Sequence, residues 1–203
     1  MCKNFLQRQH IDISSHTDTI LSIIPHFHTS MHQTVRRIAD FTKAAEKAKE
    51  VRSENYINSA AIDLTELVQN YGLDVVEIDF GEKFSNIAGY IKESIIYVSA
   101  SDSANRKRFT IAHEFGHFLL HKTQLKEAPG KYAVLFRIPL GTMNADPIEQ
   151  EANCFAANLL VPEELLIQFQ HDGKTISELA KIFEVSQDVI GFRVQSITAS
   201  HNS

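Results

Sequence analysis

Two histidines four residues apart flank a glutamate in the run His113-Glu114-Phe115-Gly116-His117, an HExxH pattern. On a helix, positions i and i+4 share a face, so both imidazoles can reach one ion. Glu114 adjoins the first of them and is placed to move a proton on an attacking water. Composition alone produces such a pentapeptide now and then, so the pattern needs companions. A catalytic zinc takes a third protein ligand and keeps a fourth position open.

The chain offers several places for that third ligand. The metzincin spacing would put it six residues past His117, at Thr123, and the glycine it requires is replaced by Leu120, so that arrangement fails. His121 is four past His117, but three ligands at i, i+4 and i+8 splay apart on a straight helix. Its alternative role is a helix-end histidine serving a last-turn carbonyl or a neighbouring side chain. The segment DPIEQEANCFAANLL (146–160) offers Glu149 and Glu151 on an expected helix. With Ala152 at 0° and about 100° per residue, Ile148, Phe155, Ala156, Leu159 and Leu160 fall within about 80° of it. Glu149 falls near about 60°, inside that apolar stripe, and Glu151 near about 260°, on its flank. A carboxylate facing a core is costly unless it binds metal or is otherwise paired. Ala152 and Ala156 are small enough to let the HExxH helix approach, and Asn153 could steady a ligand. Glu149 also has a purely structural alternative, because Asp146-Pro147-Ile148-Glu149 has capping-box spacing. Cys154 lies opposite the stripe and reads as a small apolar filler.

The elements that would position these residues follow from local signals. Residues 31–52, rich in Ala, Lys and Glu, read as a solvated helix. Asp63 can cap a short helix that Gly72 stops. LDVVEIDF (73–80) reads as a strand, and IAGYIK (87–92) with SIIYVSA (94–100) as a hairpin. Ser101 or Ser103 can cap a long helix at about 103–122. Residues 123–145 carry Pro129, Gly130, Pro139 and Gly141 and read as a long loop, with one candidate strand at Tyr132–Ile138. Asp146 and Pro147 open the next helix. Pro162 opens another that Gly173 ends, and 175–183 and 186–197 are two helices around a short turn. The expected architecture is α+β: a small three-stranded sheet packed on the HExxH helix and a second ligand-bearing helix, followed by a helix-turn-helix-like C-terminal unit. The expected divisions are 1–55, 56–170 and 171–203.

Length and composition agree with a globular protein. The 203 residues are 43% hydrophobic and 22% charged, with a net charge of −5. Residues 1–55 carry eight Lys/Arg against six Asp/Glu, and the remainder twelve against nineteen. A wholesale basic surface for nucleic acid is therefore not expected. The run Ile20–Pro25, broken by Ser22, is too short for a membrane span or a secretory core. Only Cys2 and Cys154 occur, so no disulfide framework exists and a reducing cytoplasm is the expected compartment. His10, His16, His26, His28 and His32 cluster in the first 32 residues at irregular spacing and read as part of a polar extension.

From about residue 56 to 197 the chain resembles the ImmA/IrrE family of zinc metallopeptidases. The residues that carry the resemblance are IDLTELVQNYGLDVVEIDF, the hairpin with Gly89-Tyr90, RFTIAHEFGHFLLH (108–121) and EQEANCFAANLLVP (149–162). The last is similar to the family's E-x-x-A-N-x-F-A-A-x-L-L-M-P signature, with Val161 in place of Met. The resemblance implies that His113, His117 and Glu149 hold Zn2+ and that Glu114 is the catalytic glutamate. It also implies peptide-bond hydrolysis, with a helix-turn-helix repressor of stress or mobile-element genes as the substrate. Residues 1–55 lie outside it. Tyr90, Tyr132, Arg137 and His121 are candidates for stabilising an oxyanion.

Two other classes compete. A DNA-binding or protein-docking regulator would use 175–197, whose spacing suits a helix-turn-helix. Its would-be reading helix carries Arg193 as the sole base-contacting cation, and residues 162–203 hold six acidic against three basic residues, a poor balance for phosphates. A structural zinc module would have four protein ligands, often cysteines, and no use for Glu114. The basic run Arg106-Lys107-Arg108 reads as a solvated face or a contact for an acidic partner.

Overall fold

The computed structural model describes residues 38–123, 135–136 and 146–201. The N-terminal histidine cluster, Cys2, most of the 123–145 loop, and Tyr132 and Arg137 lie outside the described residues. Among the described residues, seven α-helices and four strands run in the order α1 (Phe41–Glu54), α2 (Leu64–Gln69), β1 (Asp74–Ile78), β2 (Ile87–Lys92), β3 (Ile95–Ser99), α3 (Ala104–Leu120), β4 (Leu135–Phe136), α4 (Pro147–Leu160), α5 (Glu163–His171), α6 (Ile176–Ile182) and α7 (Gln187–His201). A 3-10 turn, Glu82–Phe84, separates β1 from β2.

Helix starts are set by side chains that satisfy otherwise orphaned amides. Asp40, Asp63, Ser103 and Asp146 each accept a backbone N–H from the first turn of α1, α2, α3 and α4. Thr175 and Glu178 close a reciprocal capping box on α6. Gly72 (φ +78°) and Gly173 (φ +75°) take the left-handed conformation just after α2 and α5, where a Cβ would be strained.

The sheet order is β1-β3-β2-β4. β2 and β3 form the expected antiparallel hairpin, turning through Glu93 at φ +56°. β1 pairs parallel to β3, and β4 adds two residues to the far edge of β2, inside the strand expected at Tyr132–Ile138. Period-two alternation splits the sheet's side chains between two faces. Ile91, Ile96 and Val98 join the main core with Phe109, Ala112 and Phe115 of α3. Tyr90 belongs to a smaller cluster with Phe80, Phe84 and Ile87, and Tyr97 packs against it.

α4 lies between α3 and α1, and nearly all its apolar side chains are buried. The described part of the helix expected to be solvated is in fact docked. Ala44, Ala48 and Val51 of α1 recur at helical spacing and sit in the main core. Alanine gives little periodic contrast, which hid that face. Arg52 is also buried and donates to the Leu159 carbonyl at 2.8 Å. Arg193 of α7 donates to the Val161 carbonyl at 2.9 Å. Two buried guanidinium groups thus serve the carboxyl end of α4, where unpaired carbonyls concentrate. No helix among the described residues is long and apolar enough to cross a membrane.

The close approach of α3 to α4 depends on a missing side chain. A Cβ on Gly116 would stand 2.9 Å from a ring carbon of Phe155 and 3.4 Å from Ala152 Cα. Phe155 is fully buried and has no room to retreat. Gly116→Ala is therefore expected to destabilise the fold by about 1–3 kcal/mol, as overpacking does. Gly191→Ala on α7, where a Cβ meets nothing within 4 Å, is expected to be neutral or to stabilise by up to about 1 kcal/mol. Denaturant unfolding of the two variants checks both; equal midpoints would disprove the tight crossing.

Candidate metal centre

α3 places His113 and His117 one turn apart on its buried face, and α4 brings Glu149 to them from its own first turn. The two Nε2 atoms are 3.0 Å apart. Glu149 Oε2 lies 3.3 Å from His113 Nε2, and its Oε1 lies 3.2 Å from His117 Nε2. Ligand atoms of the three residues all fall within 4.8 Å of one another. Around a tetrahedral zinc with bonds of about 2.0–2.2 Å, neighbouring donor atoms stand roughly 3.3 Å apart. Two imidazole nitrogens and a carboxylate oxygen at these separations fit such an ion. The sequence's capping alternative for Glu149 is not what its carboxylate does here. It turns to the imidazoles, while Asp146 accepts from Ile148 N at 3.1 Å.

The electrostatics suit a cation. Burial opposes the charge of Glu149, but the two imidazoles hold its carboxylate well below the ordinary range. Burial, reinforced by His113 and His121, pushes His117 down to about 4 against the pull of Glu149. That leaves a neutral ring with a free lone pair, the form a metal requires. Burial also works against a proton on His113, but Glu149, Glu114 and Asn153 outweigh it and raise that group.

Glu114 is fully buried beside this trio. Neither carboxylate oxygen meets a full hydrogen bond among the described residues. Desolvation drives it up to about 8; Glu149 adds to the rise, while His113 and a weak contact with the Ile91 backbone oppose it. A carboxyl poised near neutral pH can both take and return a proton, and a cation beside it would draw its pKa back down.

Asn153 Oδ1 stands 2.9 Å from His113 Nδ1. His121 Nδ1 is 3.0 Å from His117 Nδ1, on the side away from the donor cluster, and His121 Nε2 is 2.8 Å from Glu151 Oε2. His121 and Glu151 are thus brought to the centre as neighbours of a ligand candidate and not into the trio itself. A neighbouring side chain was one of the partners expected for a helix-end His121, but the pairing with Glu151 was not foreseen. The available signal was a second i, i+4 histidine step on α3 opposite an acidic position on the flank of α4.

The other sequence candidates are placed as follows. Tyr90 is on the sheet face away from α3, stacked on Tyr97 at 4.7 Å, with burial driving its hydroxyl pKa up. It is removed as an oxyanion stabiliser. Cys154 is buried toward α1, its thiol pushed up to about 11 by burial, and it fills space as expected. The basic run finds its acidic partners within the chain: Lys107 pairs with Glu77 at 2.7 Å and Arg108 with Glu184 at 3.2 Å. Arg193, the cation a DNA-reading helix would need, is 4% exposed and faces inward.

The profile of the IrrE N-terminal-like domain, a peptidase family, matches residues 68–195, more than half of the chain and a span that contains α3 and α4. The radiation response metalloprotease IrrE of Deinococcus radiodurans is 33% identical over 101 residues, covering 47% of this chain and 29% of that protein. The radiation response metalloprotease IrrE of Deinococcus deserti is 31% identical over 123 residues, covering 57% and 41%. The chain therefore spans less than half the length of these relatives. Among solved structures, a Mycobacterium tuberculosis transcriptional regulator matches with a TM-score of 0.54 at 17% identity, over 75% of this chain and 46% of that one; at that identity the likeness is one of fold.

Proposed function

Since the chain belongs to the IrrE N-terminal-like domain family, we propose that it is a zinc-dependent endopeptidase of the cytoplasm, acting on a helix-turn-helix transcriptional repressor and so releasing stress or mobile-element genes. The observation that carries the reading is the juxtaposition of the His113–His117–Glu149 donor set with a buried Glu114 carboxyl that meets no full hydrogen bond among the described residues. A structural zinc site has no use for the latter.

Under this reading His113 Nε2, His117 Nε2 and the Glu149 carboxylate hold the ion. When bound, zinc supplies Lewis acidity, lowering the pKa of water toward neutrality and polarising a carbonyl. Glu114 takes the proton of the attacking water as the new C–O bond forms. It then passes that proton to the amide nitrogen as the C–N bond breaks. Asn153 holds the His113 ring in the tautomer that leaves Nε2 bare. The repressor as substrate rests on the family resemblance alone. The competing DNA-binding reading of α6 and α7 is weakened by Arg193, whose guanidinium is committed to Val161 inside the fold.

The test uses the full chain. Elemental analysis is expected to find roughly one zinc per chain, and incubation with the repressor encoded beside its gene is expected to yield discrete fragments that a chelator prevents. Absence of any bound transition metal, or an intact repressor after incubation with zinc-loaded protein, would overturn the proposal.

A further inference from the structure

We infer that His121 and Glu151 are a positioning relay, fixing the His117 ring so that its Nε2 lone pair faces the donor cluster. The inference rests on the reading of His113, His117 and Glu149 as the metal-holding set. His117, His121 and Glu151 are 1%, 0% and 2% exposed, so their polar atoms must find partners inside the protein.

Those partners dictate where each proton sits. A carboxylate only accepts, so at 2.8 Å the Nε2 of His121 donates to Glu151 Oε2. The 3.0 Å contact between the two Nδ1 atoms holds one proton. With His121 donating from Nε2, the arrangement that keeps both rings neutral puts that proton on His117 Nδ1. His117 then has no proton on Nε2, which is the atom 3.0 Å from His113 Nε2 and 3.2 Å from Glu149. One acidic side chain on α4 thereby selects the tautomer of a ring on α3, through an intervening imidazole. The other oxygen of Glu151 accepts the Asp40 backbone N–H at 2.9 Å, which anchors the carboxylate itself to the start of α1. His113 reaches the same state by a different device, the Asn153 side-chain oxygen. The two imidazoles thus have independent supports, and ring orientation of this kind governs metal affinity.

The experiment reads tautomers first. Long-range proton–nitrogen correlation spectra of the metal-free full chain are expected to show His117 protonated on Nδ1 and His121 on Nε2. A His117 protonated on Nε2 overturns the relay, and this holds even if a variant fails to fold. Zinc affinity is then measured by competition with a chromophoric chelator. His121→Ala and Glu151→Ala are expected to bind zinc roughly 10- to 100-fold more weakly. Glu151→Gln keeps an oxygen that accepts from His121 and is expected to stay within about threefold of the wild type. Zinc affinities for both alanine variants equal to the wild type, or a Glu151→Gln variant as weak as Glu151→Ala, would each sink the relay. A wild-type chain that takes up no zinc refutes the metal reading instead, and the tautomer of His117 still decides the relay on its own.

Discussion

Glu114→Gln is expected to keep its zinc and lose cleavage of the repressor by about 10³-fold, within the 10²–10⁴ range that a positioned proton carrier contributes. Glutamine matches glutamate in shape, so the packing around α3 is preserved. It cannot take up a proton near neutral pH, which is the one property of Glu114 that the proposed reaction uses. Glu114 is not among the residues whose donor atoms converge, so zinc stoichiometry should be unchanged. Because the native carboxyl is buried without a full partner among the described residues, the neutral amide is not expected to lower thermal stability. Gel-resolved time courses and zinc content measured on the same sample check this. Wild-type rates from the variant would remove Glu114 as the proton carrier.

The second large effect is on metal retention. Apparent zinc binding energies in four-ligand sites run to about 16 kcal/mol, or up to about 4 kcal/mol per ligand. Glu149→Ala is therefore expected to weaken zinc binding by on the order of 10³-fold. The loss is made worse by what remains, two imidazole nitrogens 3.0 Å apart without the carboxylate that faces both of them. Glu151→Ala, acting only through His121, is expected to fall well short of that, within the roughly 10- to 100-fold range of outer partners. Chelator competition on both variants gives the ranking. If Glu151→Ala proves the weaker binder, the carboxylate at the centre has been misassigned.

Much of the centre is legible from local sequence because its signals are local. Two histidines on one helical face, an aspartate before a proline, and a glutamate inside an apolar stripe all act within a turn or two of chain. The partner choices are not local. The helical wheel of α4 put Glu151 on a flank, which is solvent-facing only if the helix has one neighbour. α4 has two, and the side toward α1 buries that flank as well. The same blindness affected α1, whose Ala44 and Ala48 look neutral in composition yet pack at close range. Arg193 stands in the sequence as the one cation a DNA-reading helix could turn to a base, because charge alone does not disclose that a carbonyl at the end of α4 would claim it. The parallel insertion of β3 beside β1 depends on sheet-wide pairing, and no short window encodes it.

The docking of α1 across α4 bears on where the independently folding unit begins. A fragment trimmed to the matched span, starting at residue 68, would discard the helix that covers Cys154 and would remove Arg52 from Leu159. It would also strip from Glu151 the amide that steadies it. The smallest fragment expected to fold by itself therefore reaches back at least to Asp40, well ahead of the boundary that sequence similarity draws, and limited proteolysis checks this.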